Sequence, residues 1–144
     1  MTRLIDSLIN LLARIPHFIP ALIGRLAMGL VFWNSGRTKV EGWNIFHVSD
    51  KTLFLFKEEY KVPYIPPEIA ALMAQVAEHV LGALLIVGLA TRFSAAGLLV
   101  MVIVIQTFVY PQAYVLHGTW AAVLLMLIKY GPGPLSLDYL LYKR

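Results

Sequence analysis

No charged side chain occurs from Phe93 to Ile128, a run of 36 residues. A hydrocarbon core about 30 Å thick is crossed by roughly 20 helical residues, so a single helix over this run would overshoot a bilayer. The stretch Tyr110-Pro-Gln-Ala-Tyr114 breaks it near its middle, where proline removes a backbone donor and ends a helix. The run therefore predicts two membrane spans, roughly 93–109 and 115–130, joined by a short turn.

Two earlier stretches follow the same pattern. Residues 18–36 are apolar apart from Arg25 and Asn34, and 67–89 are apolar apart from Glu68, Gln75, Glu78 and His79. Pro66-Pro67-Glu68 suits a helix start, with proline in the first turn and an acid at the positive end of the dipole. Composition agrees with four spans. The hydrophobic set is 59% and charged residues 14%, against about 25% charged in soluble domains, and a soluble globule of this size has too little interior for so much apolar surface. The expected fold is all-α, an integral membrane four-helix bundle, with 1–144 as a single membrane domain. The lipid bilayer is its first partner. The chain has no cysteine, which excludes disulfides, thiolate metal sites and an internal thiol relay. Its net charge of +4 comes from basic residues that flank the apolar runs, so no nucleic-acid partner is expected.

Leu4, Leu8, Leu11, Leu12 and Ile15 fall at helical spacing, with Arg3, Asp6, Ser7, Asn10 and Arg14 on the other face. Asp6 and Asn10 interrupt any signal-peptide core, and no small-x-small site follows. An uncleaved interfacial helix is expected at the N-terminus. Between spans 1 and 2, residues 40–65 form the one long connection. Asp50 suits the cap of a short helix running to about Tyr60, and Leu53, Phe54, Phe56 and Tyr60 are too apolar for a free loop, so an ordered outer segment is expected. The tail 136–144 carries Leu137, Leu140, Leu141 and Tyr142 and suits a membrane surface. With four spans both termini share a side, which holds six Lys and Arg against five on the other; the positive-inside rule leans toward both termini inside.

A charge within the hydrocarbon costs at least about 2.5–3.5 kcal/mol on insertion scales, so every intramembrane polar residue calls for a partner. Gln75, Glu78, His79 and Gly82 share one helix face, and Arg25, Gly29, Phe32 and Gly36 make a stripe on the first span. At about 1.5 Å per residue, Glu78, Gln106 and His117 lie at similar depths, roughly 18–20 Å from the inner ends of their spans, while Arg25 lies at about 12 Å. Glu78 reads either as a buried ion pair or neutral acid, or as a proton or cofactor contact. Gln75, His79 and Gln106 read as interhelical hydrogen bonds or as cofactor contacts. His117 and Trp120, three apart, suit an interface or a site. His79 and His117 together also match the requirement of bis-imidazole haem ligation. Gly29 and Gly36 read as close-packing positions, and Arg37 and Lys39 as partners of lipid phosphate or of acids such as Glu41. The candidate site is therefore Glu78 and His117 as catalytic proton-handling groups, with Arg25, Gln75, His79, Gln106 and Trp120 as cofactor-binding residues and no metal. No hydrolytic constellation, phosphate-cradling loop or zinc motif is present.

Arg25-Leu-Ala-Met-Gly29 followed by Ser35-Gly36 and Lys39, Glu78 with Gly82 followed by Gly88-Leu-Ala-Thr-Arg92, and Gly131-Pro-Gly-Pro-Leu-Ser-Leu-Asp138 resemble, in that order and spacing, the signatures of the DoxX family. The stretch from Phe56 to Pro63, the pair Gln106 and Tyr110-Pro111, and His117-x-x-Trp120 look like the branch found beside genes for small metal-stress peptides. The resemblance implies a four-span bacterial inner-membrane protein with both termini cytoplasmic. The family is named for a membrane subunit of a thiosulfate:quinone oxidoreductase, and many members have no assigned activity. The expectation is a redox-linked accessory protein holding a quinone or similar apolar cofactor in its polar core, alongside a soluble or membrane redox partner or a second copy of itself. A non-catalytic scaffold or export helper and a bis-histidine haem protein are the alternatives.

Overall fold

The computed structural model describes residues 2–142 and is helical throughout its ordered elements. Helix α1 spans Thr2–Leu12, α2 Phe18–Arg37, α3 Asp50–Leu55, α4 Pro67–Val87, α5 Thr91–Val104, α6 Tyr114–Tyr130 and α7 Leu137–Tyr142. Two of them continue into π-helical turns, α3 into Phe56–Tyr60 and α5 into Ile105–Val109. With its π turn α5 reaches 19 residues, and four helices are long and apolar enough to cross a membrane. The four spans fall where the charge-free runs place them, each within a few residues.

Each boundary has a local cause. Helix α4 begins at Pro67, whose missing donor would be unpaired in a first turn anyway. It ends at Gly88, which takes the left-handed conformation at φ 72° that glycine adopts without a Cβ penalty. At the far end of α5, Pro111 restricts the residue before it, and Tyr110 leaves helical geometry at φ −131°, ψ 67°. The N-cap of α3 is Ser49, whose Oγ accepts from the Thr52 backbone N–H; Asp50, expected as the cap, lies one residue inside.

The spans close into a ring in which α2 packs on α4, α4 on α5, α5 on α6 and α6 on α2. Phe32, Leu85, Leu98, Leu124 and Leu127 fill the centre of its N-terminal side. Outward-facing Ile23, Leu30, Val80, Ile103 and Leu125 stay exposed, as a bundle surrounded by lipid tails requires. The α2–α4 contact is the closest, and glycines make it possible. A Cβ on Gly29 would meet the Gly82 carbonyl oxygen at 2.9 Å and the Ile86 side chain at 2.5 Å, and a Cβ on Gly82 would meet the Gly29 oxygen at 3.0 Å. Small residues that let two backbones touch are the usual glue of membrane helices.

The segment before α4 is ordered, as its apolar residues predict. Phe56 is buried with Ala70 and Ala71 of α4, although Phe54 stays exposed. Helix α1 keeps Leu4, Ile5, Leu8, Ile9, Leu11 and Leu12 exposed along one side, the pattern of a helix lying in the membrane interface.

Replacing Gly29 with leucine should separate α2 from α4. Overpacking at such a contact costs about 1–3 kcal/mol. Thermal melting of the detergent-solubilised protein should show a drop of several degrees, while Gly118→Leu, where an added Cβ meets nothing within 4 Å, should leave melting near wild type.

Candidate functional site

The polar residues of the spans separate into two groups at opposite ends of the bundle. At the end shared by the α4–α5 turn and the C-terminal segment, Arg25 is buried on α2. Its guanidinium donates to the carbonyls of Pro132 at 3.1 Å, Leu135 at 2.8 Å and Ile86 at 3.3 Å. Asp138 opposes it electrostatically and accepts from the Ala90 and Thr91 backbone N–H groups at 2.6 and 2.8 Å, capping α5. The glycine-proline segment 131–134 is thus folded over the bundle by a buried cation that satisfies its carbonyls. Arg25 does not reach Glu78, and it stands outside the cavity described next.

Glu78 meets a different cation. Lys39, just past the end of α2, donates to both of its carboxylate oxygens, at 3.0 and 2.8 Å. Ser35 donates to Oε1 at 3.0 Å and also contacts the ammonium through its Oγ and carbonyl. The Lys39 carbonyl accepts from Thr52 Oγ1 at 2.7 Å, so the ordered segment holds the lysine in place. The acid that Lys39 meets is thus Glu78 and not Glu41; Arg37 lies over the Trp43 ring at 4.5 Å.

Glu78 lines a cavity of about 490 Å³ in the half of the bundle away from Arg25. Its body is apolar, formed by α2, α4, α5 and α6. Its polar lining comes from Glu78, Lys39 and Ser35 on one wall, from His117 with Trp120 on α6, and from Tyr60 and Tyr110 at the end nearest the 38–66 segment. A size of this order and a few convergent polar groups are typical of small-molecule sites.

His117 is buried, and its tautomer is set by a chain of hydrogen bonds. The Gln106 amide donates from Nε2 to the Pro111 carbonyl at 2.7 Å, which turns its Oε1 toward His117. That oxygen accepts from Nδ1 of His117 at 2.7 Å. The proton therefore sits on Nδ1, and Nε2 keeps its lone pair. The π turn Ile105–Val109 and Pro111 place Gln106 for this role; π turns recur at functional sites. Gln106 itself does not line the cavity but acts through His117. The indole of Trp120 lies 5.3 Å from the imidazole and meets Phe32 edge-on at 5.8 Å.

Gln75 and His79 lie on the same α4 face as Glu78 but outside the cavity. Gln75 donates to the carbonyls of Ile45 and His47 at 2.9 and 3.0 Å, tethering the connecting segment. Nδ1 of His79 donates to the Gln75 carbonyl at 2.6 Å, and the ring packs against Gly36 and, at 5.2 Å, Trp33. His79 and His117 share no open space, so these two imidazoles do not form the facing pair a haem would need.

Sequence reasoning missed Lys39, Ser35, Tyr60 and Tyr110. Tyr60 and Tyr110 meet at 5.7 Å, nearly perpendicular, and the Tyr110 hydroxyl donates to Glu59 at 2.5 Å. Both phenols are held above their ordinary value, Tyr110 chiefly by that hydrogen bond and Tyr60 by burial. For Lys39 a signal existed: Ser35 and Lys39 are four apart at the end of α2 that antiparallel packing sets against the first half of α4.

The DoxX family model matches residues 21–111. A Haemophilus influenzae protein, itself uncharacterised, is 32% identical over 134 residues, covering 87% of this chain and 85% of that protein. No solved structure matches.

Removing one partner of a buried ion pair leaves an uncompensated charge and costs about 3–5 kcal/mol. Lys39→Met should therefore lower the melting temperature markedly, and the double change Lys39→Met with Glu78→Gln should recover most of that loss. A double-mutant cycle by thermal or denaturant unfolding in detergent measures both.

Proposed function

The chain belongs to the DoxX family and is a multi-pass membrane protein, and on that premise we propose that it binds a membrane-dissolved quinone-class molecule in the cavity between Glu78 and His117. The observation that carries this reading is the pairing of two hydrogen-bond acceptors in an apolar cavity. The three N–H bonds of Lys39 are already engaged by Glu78 and Ser35, so the lysine has none to spare. Glu78 Oε2 accepts from Lys39 alone and retains acceptor capacity. His117 Nε2 keeps a lone pair because its other nitrogen is the donor to Gln106. A molecule that suits two such acceptors presents two hydroxyl donors on a flat apolar ring, which describes a quinol better than a quinone.

When bound, such a group supplies two-electron, two-proton carriage between redox partners. The residues here orient it and take protons. His117 Nε2 is placed to receive one, with the Gln106 oxygen stabilising the imidazolium that results through Nδ1–H. Glu78 accepts the other hydroxyl's hydrogen bond at Oε2, its carboxylate charge balanced by Lys39. Trp120 and Phe32 offer ring faces against which a flat molecule stacks. The absence of cysteine means that any thiol or sulfur chemistry in the pathway belongs to a partner, soluble or membrane-bound. In this reading the protein sits in a bacterial inner membrane with both termini cytoplasmic.

Two measurements test these statements. Equilibrium dialysis of the purified protein with a decyl-tailed benzoquinol should show saturable binding, tighter than for the matching quinone. Loss of one hydrogen bond to a charged or ionisable group is worth about 1.5–3 kcal/mol, so His117→Ala, with melting within a few degrees of wild type, and the charge-balanced double variant Lys39→Met with Glu78→Gln should each weaken quinol binding by roughly tenfold or more. Absence of binding, or binding indifferent to both changes, would overturn the reading in favour of a scaffold. For orientation, single cysteines replacing Lys57 and Arg92 should label from opposite sides in intact cells, the first with an impermeant reagent added outside.

A further inference from the structure

We infer that the cavity is loaded sideways from the bilayer, through a cleft between α4 and α5, and that its ligand is a quinol carrying a long apolar tail that remains in that cleft. This rests on the reading of the cavity as a quinol site and adds how the ligand enters and what part of it gives selectivity.

The wall between α4 and α5 is one side chain thick. Met73 and Val100 line the cavity and yet are 58% and 61% exposed on the outside of the bundle. Their helices run antiparallel. At about 1.5 Å per residue, Ala77 faces the level of Val100, and Met73 faces the level of Val104, roughly mid-membrane and one turn beyond it. These residues, with Gly97, contribute no polar side chain to the cleft, and Ala77 and Gly97 contribute almost no bulk. The hydrocarbon tails of lipids lie directly outside.

The two ends of the cavity are covered, while along its sides Leu116 of α6 also lines it and is 50% exposed. Toward the 38–66 segment, the rings of Tyr60 and Tyr110 meet at 5.7 Å over the end of the cavity, Phe56 packs edge-on to Tyr60 at 4.9 Å, and Glu59 holds the Tyr110 hydroxyl. Toward Arg25, the fully buried side chains of Leu85, Leu98 and Leu124 fill the bundle. A ligand arriving from water would have to displace one of these layers, whereas one dissolved in the membrane has aliphatic side chains alone to move. The polar ends are then a head-group site and the cleft a tail site, which separates tailed quinols from small soluble phenols of the same head group.

The test compares two probes on the intact protein in lipid nanodiscs: the decyl-tailed benzoquinol and the same head group without a tail. Val100→Phe and Met73→Phe thicken the wall from either side at exposed positions, with folding checked by melting. The expected result is that wild type prefers the tailed probe by tenfold or more. Each variant should weaken or slow tailed-probe binding about tenfold and change tailless-probe affinity less than threefold. Equal affinity of wild type for the two probes, unchanged tailed-probe binding in both variants, or parallel loss of both probes would each overturn the cleft while leaving the head-group site standing. Failure of wild type to bind either probe would overturn both.

Discussion

The Lys39–Glu78 pair is the interaction on which the rest of this structure depends. A carboxylate in the middle of a membrane helix is tolerated only with a partner, and the partner here is brought from beyond the end of another span. Three pieces of chain are fixed at once: Glu78 fixes the middle of α4, Ser35 and Lys39 fix the end of α2, and Thr52 holds the Lys39 carbonyl from the connecting segment. Buried ion pairs are poor sources of net stability, because desolvation offsets most of the attraction. What this one supplies is position. It consumes the donors of the lysine and leaves acceptor capacity on Glu78 Oε2 at the wall of an apolar cavity.

That geometry is reached because α2 and α4 touch backbone to backbone at Gly29 and Gly82. With larger residues there, α2 and α4 would separate and Lys39 would be carried away from Glu78. The two polar clusters divide the work. Arg25 and Asp138 close one end around a folded-over tail segment, leaving the leucine-rich core beneath them dry. Lys39 and Glu78 tie α2 to α4 in the other half, at the wall of the cavity.

The spans were legible in the sequence because hydrocarbon imposes a length and a polarity on each of them, and the breaks at Pro111 and Gly88 carry their own backbone chemistry. Glu78 and His117 were legible as intramembrane polar groups at one depth, and they do line one cavity. Arg25 reads as a cofactor contact because a cation in a span calls for a partner, whereas its hydrogen bonds go to three backbone carbonyls, which no side-chain pattern reveals. Lys39 was hidden by the opposite bias, lying just outside the apolar run and reading as an interfacial residue. Gln106 was visible as polar, but its service to His117 depends on a π turn whose extra residue per turn no hydrophobic periodicity reports.

The Arg25 clamp also has a consequence in time. Arg25 lies in the first of the four spans, and the carbonyls of Pro132 and Leu135 that satisfy it are made only after all four. Until the C-terminal segment is made, this guanidinium lacks two of its three carbonyl partners, and an under-paired charge within a span carries an insertion cost. Closing of the C-terminal segment over it is therefore a completion step. A chain that stops after the fourth span keeps only the Ile86 carbonyl of these three partners for its buried cation.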